Sequence, residues 1–126
     1  MTSAPTIYAV DDDAATLELV TLQLLAGGFD VQAFNSATEL LANRKFAAWG
    51  CIVSDVRMPH MDGIQLLEEL TRREVHLPVV IMTANGNIPL SVRAMRAGAV
   101  EFLEKPFSCQ SLLESVDYAL AIAETS

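Results

Sequence analysis

Cysteine and basic residues are both scarce in this sequence, and each scarcity removes a class of function. Only two cysteines occur, Cys51 and Cys109, far apart and without the paired spacing of a zinc or dithiol redox site. Cys51 lies in the apolar run Cys51-Ile52-Val53, where a reduced thiol is expected to be buried and inert. Lys and Arg number 8 against 16 Asp and Glu, a formal net charge of -8, which argues against non-specific attraction to nucleic acid or an anionic membrane. Contact with DNA would need another domain. No run approaches the ~20 apolar residues of a membrane span, and Met1 to Ala9 lacks the basic flank and apolar stretch of a secretory signal. The expected residence is the cytoplasm. Internal repeats, low-complexity tracts and long linkers are absent too.

What remains is a chain rich in core material, 52% hydrophobic and 19% charged, whose 126 residues suit one domain over 1–126. Short apolar runs alternate with helical patterns, the sign of a parallel sheet covered on both faces. The expected strands are Thr6 to Val10, Phe29 to Phe34, Cys51 to Ser54, Val79 to Thr83 and Val100 to Leu103. The third and fourth are continuously apolar, as central strands buried on both faces should be.

Between the strands, Leu17, Val20, Leu24 and Leu25 fall at helical spacing and Gly27-Gly28 supplies the stop. Ser36 and Glu39 form a capping box that opens a second helix, expected to end near Asn43 to Lys45. Gly63 to Arg73 reads as a third helix with Ile64, Leu67 and Leu70 inward and Glu68 and Glu69 preceding Arg72 and Arg73. Ile88 to Ala97, closed by Gly98, is the fourth. Ser108 caps a fifth that turns Leu112, Val116, Ala119 and Leu120 to the sheet and frays from Ala121 to Ser126. The fold class is α/β: a doubly wound (βα)5 unit, its five-stranded parallel sheet in the order 2-1-3-4-5.

Polar residues collect at the carboxyl ends of these strands, the edge where open α/β sheets bind ligands. Asp11-Asp12 follow the first strand, Asp55 the third and Lys105 the fifth, while Thr83 closes the fourth. With the order 2-1-3-4-5 the first and third strands are neighbours and their acids converge. Carboxylates crowded in this way raise each other's pKa unless a cation neutralises them. Mg²⁺, or Mn²⁺, suits such oxygen donors. The expected ligands are Asp12 and Asp55 directly, Asp11 through water and the backbone carbonyl of Arg57.

The segments Val10-Asp11-Asp12-Asp13, Asp55-Val56-Arg57-Met58-Pro59-His60-Met61-Asp62-Gly63, Met82-Thr83-Ala84 and Lys105-Pro106 together resemble the motif set of bacterial two-component response-regulator receiver domains. These are CheY-like domains with a flavodoxin-like fold. Any one motif is weak; four in order across nearly the whole chain are specific. The stretch Ile88 to Phe107 is similar to receivers of FixJ-like transcriptional regulators.

The resemblance implies that Asp55 is a nucleophile taking a phosphoryl group from a phosphohistidine of a sensor histidine kinase. It makes the chain a phosphoacceptor switch, not a conventional enzyme, which assists its own Mg²⁺-dependent phosphotransfer and autodephosphorylation. Lys105 would pair with the phosphoryl group, and Thr83 would donate to it. Phe102 would turn inward as the switch aromatic, and Lys105-Pro106 would be cis. Arg57 and Asn85, neither an obvious general base, would flank the site and set a slow to moderate loss of phosphate. The subfamily further implies weak pairing of two phosphorylated copies through the fourth-helix and fifth-strand face, near Ile88-Pro89-Leu90. It also implies a C-terminal DNA-binding output domain, absent here, so the chain is an excised receiver or a stand-alone regulator.

Plainer readings hold for several residues. Asp13 is expected only to cap the first helix, and Asp62-Gly63 to shape the loop beside Asp55. His60 and His76 read as loop residues, Trp49 as packing, and Phe102 alone could be core. An Asp-nucleophile phosphatase resembles Asp-x-Asp-x-Thr/Val after its first strand, whereas this chain has Asp11-Asp12-Asp13-Ala14-Ala15 and no room for a substrate cap. A flavin module would need a Ser/Thr/Gly-rich phosphate loop there. The alternative that stays open is a receiver-like docking module that is never phosphorylated.

Overall fold

A computed structural model describes residues 4–43 and 45–125. Five strands, β1 (Thr6–Val10), β2 (Asp30–Phe34), β3 (Gly50–Asp55), β4 (Val79–Thr83) and β5 (Glu101–Glu104), alternate with five helices. The helices are α1 (Ala14–Ala26), α2 (Ala37–Leu41), α3 (Gly63–Arg72), α4 (Ile88–Arg96) and α5 (Cys109–Thr125). All strand pairs are parallel and the sheet order is β2-β1-β3-β4-β5, as the sequence implied.

The period-two alternation of side chains along the central strands divides the core in two. Tyr8, Val10, Ile52 and Ile81 point to one face, where they meet Ala37 and Leu40 of α2, Ile64, Leu67 and Leu70 of α3, and Ala94 of α4. Ile7, Ala9, Cys51, Val53, Val80 and Met82 point to the other, under Val20 and Leu24 of α1 and Leu112, Val116, Ala119 and Leu120 of α5. Every residue of β3 and β4 is buried, which accounts for their continuous apolar runs. Burial also pushes the Cys51 thiol up to about 12, against the weaker effect of a hydrogen bond with the Val80 backbone. That thiol is unreactive, as expected.

Helix starts follow the capping residues. Asp13 accepts from the Thr16 amide at 3.0 Å, Ser36 from Glu39 at 3.1 Å and Ser108 from Ser111 at 3.0 Å. The return arm of the Ser36 box differs from expectation: Glu39 accepts from the amide of Asn35 at 3.4 Å instead of that of Ser36. A complete reciprocal box sits at α3, where Asp62 and Gln65 exchange bonds of 2.8 and 2.9 Å.

Several boundaries move. The second helix stops at Leu41 with Ala42 as its cap, short of Asn43 to Lys45, because the chain turns there to bring Phe46 edge-on to the Tyr8 ring at 5.2 Å. Arg44, inside that expected end, lies outside the described residues. β2 begins at Asp30, since the amide of Phe29 is taken by the carbonyl of Leu24 at the end of α1. β5 is one residue later than Val100 to Leu103, its register running from Val80↔Glu101 to Thr83↔Glu104. α5 continues to Thr125 where fraying from Ala121 to Ser126 was expected, with Leu120 buried in the core and Ile122 and Ala123 half-buried; Ser126 lies outside the described residues. Leu25 fits the α1 stripe by spacing yet is half exposed, since only Val20 and Leu24 of that helix are fully buried. Only Glu69 of the two α3 acids pairs with Arg72 and Arg73, and both hydrogen bonds hold its carboxyl down at about 2.

β3 starts one residue earlier than expected, at Gly50, and ends one later, at Asp55. A Cβ at position 50 would lie 2.1 Å from the Thr6 carbonyl oxygen, so the pairing of β1 with β3 requires glycine there. Gly50→Ala is expected to destabilise the fold by about 2 kcal/mol, the range of overpacking, read from the urea midpoint. An unchanged midpoint would contradict the Thr6↔Gly50 register.

Candidate functional site

Register places the polar residues. Val10 pairs with Ser54, so the next residues, Asp11 and Asp55, leave β1 and β3 side by side. Thr83 pairs with Glu104, so Lys105 leaves β5 next to the end of β4, its amide donating to the Thr83 carbonyl at 2.7 Å. The Lys105–Pro106 peptide is cis.

The side chains then close on one another. The Lys105 ammonium donates to Asp11 Oδ2 at 2.8 Å and to Asp55 Oδ1 at 2.9 Å, bridging residues 94 and 50 positions away in the chain. Asp11 and Asp55 are buried, while Asp12 is exposed at the mouth. Asp11 Oδ1 also accepts from the amide of Asp13 at 2.9 Å, which fixes the turn after β1. Carboxylate oxygens of Asp11, Asp12 and Asp55 all lie within 4.8 Å of one another, the only such cluster among the described residues. His60 and His76 are exposed loop residues outside it, as expected.

Thr83 is fully buried, and its hydroxyl accepts from the Asn85 amide at 3.2 Å. It stands beside the cluster with no hydrogen bond to it. Arg57 and Asn85 are exposed on the loops after β3 and β4. Phe102, opposite Ile81 in the register, is half-buried against the α2, α3 and α4 side of the core.

Two features of the site escaped sequence reasoning. Lys105 was expected to meet only a phosphoryl group, yet it already neutralises part of the acidic cluster; residues so far apart in sequence give no local signal of a shared bond. Gly63 read as turn chemistry, but a Cβ there would lie 2.7 Å from the Asp55 carbonyl oxygen and 3.0 Å from Val56 Cα. The glycine lets α3 approach the backbone that carries Asp55. Its amide donates to the Val56 carbonyl at 2.9 Å, locking that approach.

Three carboxylates gather beside one ammonium, which bonds Asp11 and Asp55 and not Asp12, so the cluster keeps excess negative charge. Burial raises the Asp55 carboxyl above the usual aspartate range; the Lys105 hydrogen bond opposes this, and the charges of Asp11 and Asp12 add to it. For Lys105, burial alone would lower the pKa, but its bonds to Asp11 and Asp55 outweigh burial and hold it above the ordinary lysine value. The donors left over are hard carboxylate oxygens on a partly open rim, which fits a divalent cation.

Comparison with known proteins decides the family. Residues 7–117 match the response regulator receiver domain. The chain belongs to that family. The transcriptional regulatory protein FixJ of Bradyrhizobium diazoefficiens is 43% identical over 124 residues, covering 98% of this chain and 60% of FixJ. A crystal structure of full-length FixJ from B. japonicum superposes with a TM-score of 0.89 at 42% identity, over 98% of this chain and 61% of that one. The chemotaxis protein CheY4 of Vibrio cholerae matches with a TM-score of 0.87 at 26% identity, covering 94% of this chain and all of that one. This receiver thus spans about three fifths of the length of FixJ. The family is one of two-component phosphoacceptor regulators, not of conventional enzymes, and its members bind Mg²⁺ at the acidic pocket that Asp11, Asp12 and Asp55 form here. No helix among the described residues is long and apolar enough to cross a membrane.

A raised carboxyl pKa means that the folded receiver binds the Asp55 proton more tightly than the unfolded chain does. Without metal, this group therefore adds stability as pH falls through its raised value and removes it as pH rises. Asp55→Asn is expected to raise the metal-free thermal midpoint at neutral pH by roughly 3 °C, the scale of about 1 kcal/mol in a domain of this size. It should also flatten the pH dependence on the acid side. Melts in chelator across pH check this, and a lower midpoint at neutral pH would contradict the charge balance described.

Proposed function

We propose that Asp55 is the acceptor of a phosphoryl group delivered by the phosphohistidine of a sensor histidine kinase. The observation that carries this reading is the ammonium of Lys105 held 2.9 Å from Asp55 and 2.8 Å from Asp11 at the carboxyl edge of the sheet. A carboxylate so placed is buried enough to be oriented, yet opens on a rim that a donor can reach. In the transfer, an Asp55 carboxylate oxygen bonds to phosphorus as the P–N bond to histidine breaks, and the imidazole leaves with that electron pair.

Asp12 and Asp55 would hold Mg²⁺ directly, Asp11 through water and Arg57 by its carbonyl, with Mn²⁺ suiting the same oxygens. When bound, the ion supplies positive charge against the repulsion between carboxylate and phosphoryl group. Lys105 supplies a second charge and can follow the new anion on its long stem. The Thr83 hydroxyl accepts from the Asn85 amide at present and keeps its own proton free to donate to a phosphoryl oxygen. That bond would draw in the loop after β4 and shift Phe102 in a two-state equilibrium. Arg57 and Asn85 flank the mouth, and the absence of a strong base between them favours slow to moderate autodephosphorylation.

The wider regulator is read from its relatives. The chain, one domain over 1–126, spans 60% of FixJ, whose name marks it as a transcriptional regulator. We therefore assign this receiver to control of a C-terminal DNA-binding domain, either joined to it in a longer protein or served by a stand-alone receiver. The α4 and β5 face, with Ile88 79% exposed, is the surface for weak pairing of phosphorylated copies. Control of a DNA-binding domain fits residence in the cytoplasm.

Incubation with acetyl phosphate and Mg²⁺, followed by intact-mass measurement, should add one phosphoryl mass to the wild type and none to Asp55→Asn. Chelator should abolish the gain. No gain in the wild type would favour the phosphorylation-independent docking module instead.

A further inference from the structure

Beside the acidic rim lies a second concavity with the opposite charge. A solvent-open cleft of about 440 Å³ separates the loop after β3 from the first turns of α4. Its floor is apolar: Val56, Met58 and Ile64 are 4, 8 and 5% exposed, and half-buried Leu90 closes one side. Its rim carries Arg57 and Arg93, both exposed.

Among the described cations Arg57 and Arg93, like Lys45 and Arg96, stand outside the ion pairs, and of these four only Arg57 and Arg93 line this cleft. Arg72 and Arg73 are held by Glu69, and Lys105 by Asp11 and Asp55. Neither Arg57 nor Arg93 has an ion-pair partner among the described residues. Asp62 is the one acid on the wall, and its Oδ1 is occupied by the Gln65 amide at 2.8 Å as the cap of α3. In a chain of net charge -8, the cleft is thus a local cationic rim over an aliphatic floor.

We propose that this cleft is a docking groove for a segment of a partner protein in which carboxylates alternate with aliphatic side chains. Arginine presents a planar fork that takes a carboxylate in two parallel hydrogen bonds, and two unpaired forks on one rim select for acidic over neutral segments. The floor supplies the apolar contact, with Met58 able to adapt to different aliphatic shapes. The groove shares the segment after Asp55 with the acidic rim, since Val56 and Arg57 line one and follow the other. Docking itself does not rest on phosphorylation of Asp55.

The test uses a ¹⁵N-labelled chain and an acetylated, amidated heptapeptide of alternating leucine and glutamate, with glutamine in place of glutamate as the control. The glutamate peptide should shift the amides of Val56, Met58, Ile64 and Leu90 saturably and bind at least about tenfold more tightly than the control, with the preference fading in salt. Arg93→Glu should erase the preference without lowering the thermal midpoint, and Arg93→Gln, free of any added charge, should weaken it. Equal binding of the two peptides would overturn the proposal, as would shifts centred on another face. So would pairing of two copies through this cleft in sedimentation without peptide, which would make the occupant a second copy of the chain.

Discussion

The ammonium of Lys105, set between the buried carboxylates of Asp11 and Asp55, is the contact on which the rest of the structure depends. Two acids this close repel in a medium of low dielectric, and a third, Asp12, stands at the mouth. One lysine offsets part of that repulsion and leaves the remainder as an attraction for a cation. The edge of the sheet is therefore held in tension between folding, which crowds the acids, and binding, which needs them crowded. Functional sites commonly carry such a local cost because the surrounding fold over-determines it.

The fold over-determines it here through the sheet. Asp11 and Asp55 are brought together by the parallel register of β1 and β3, in which Gly50 lies against the Thr6 backbone. Gly63 allows α3 to close against the Asp55 backbone from below. Neither glycine touches a side chain of the site, yet each sets the position of the strand that carries it. The two core layers, each anchored by the fully buried strands β3 and β4, make that backbone stiff.

Much of this was legible from residues alone, for physical reasons. Alternation of apolar runs with helical stripes specifies a doubly wound sheet, and caps such as Asp13 and Ser108 are local hydrogen-bond chemistry. The site residues could be named because strand ends in such a sheet converge on one edge. What stayed hidden depended on contacts between distant segments. The end of α2 is decided by the Phe46 ring meeting Tyr8, whose hydroxyl also accepts from the Ala47 amide at 2.8 Å. The persistence of α5 beyond Ala121 follows the burial of Leu120 in the core, and the Lys105 bridge depends on the register of β4 with β5, which no local pattern encodes.

The central claim is that the excess negative charge of Asp11, Asp12 and Asp55, left over after Lys105 is counted, is a seat for a divalent cation. Its most direct test is the thermal midpoint of the chelator-treated chain as Mg²⁺ is added. The account predicts a saturable-site rise that continues with the logarithm of Mg²⁺ concentration, worth about 2.7 kcal/mol at a hundredfold excess over Kd, and largely lost in Asp12→Asn. A wild-type midpoint indifferent to Mg²⁺ would contradict it.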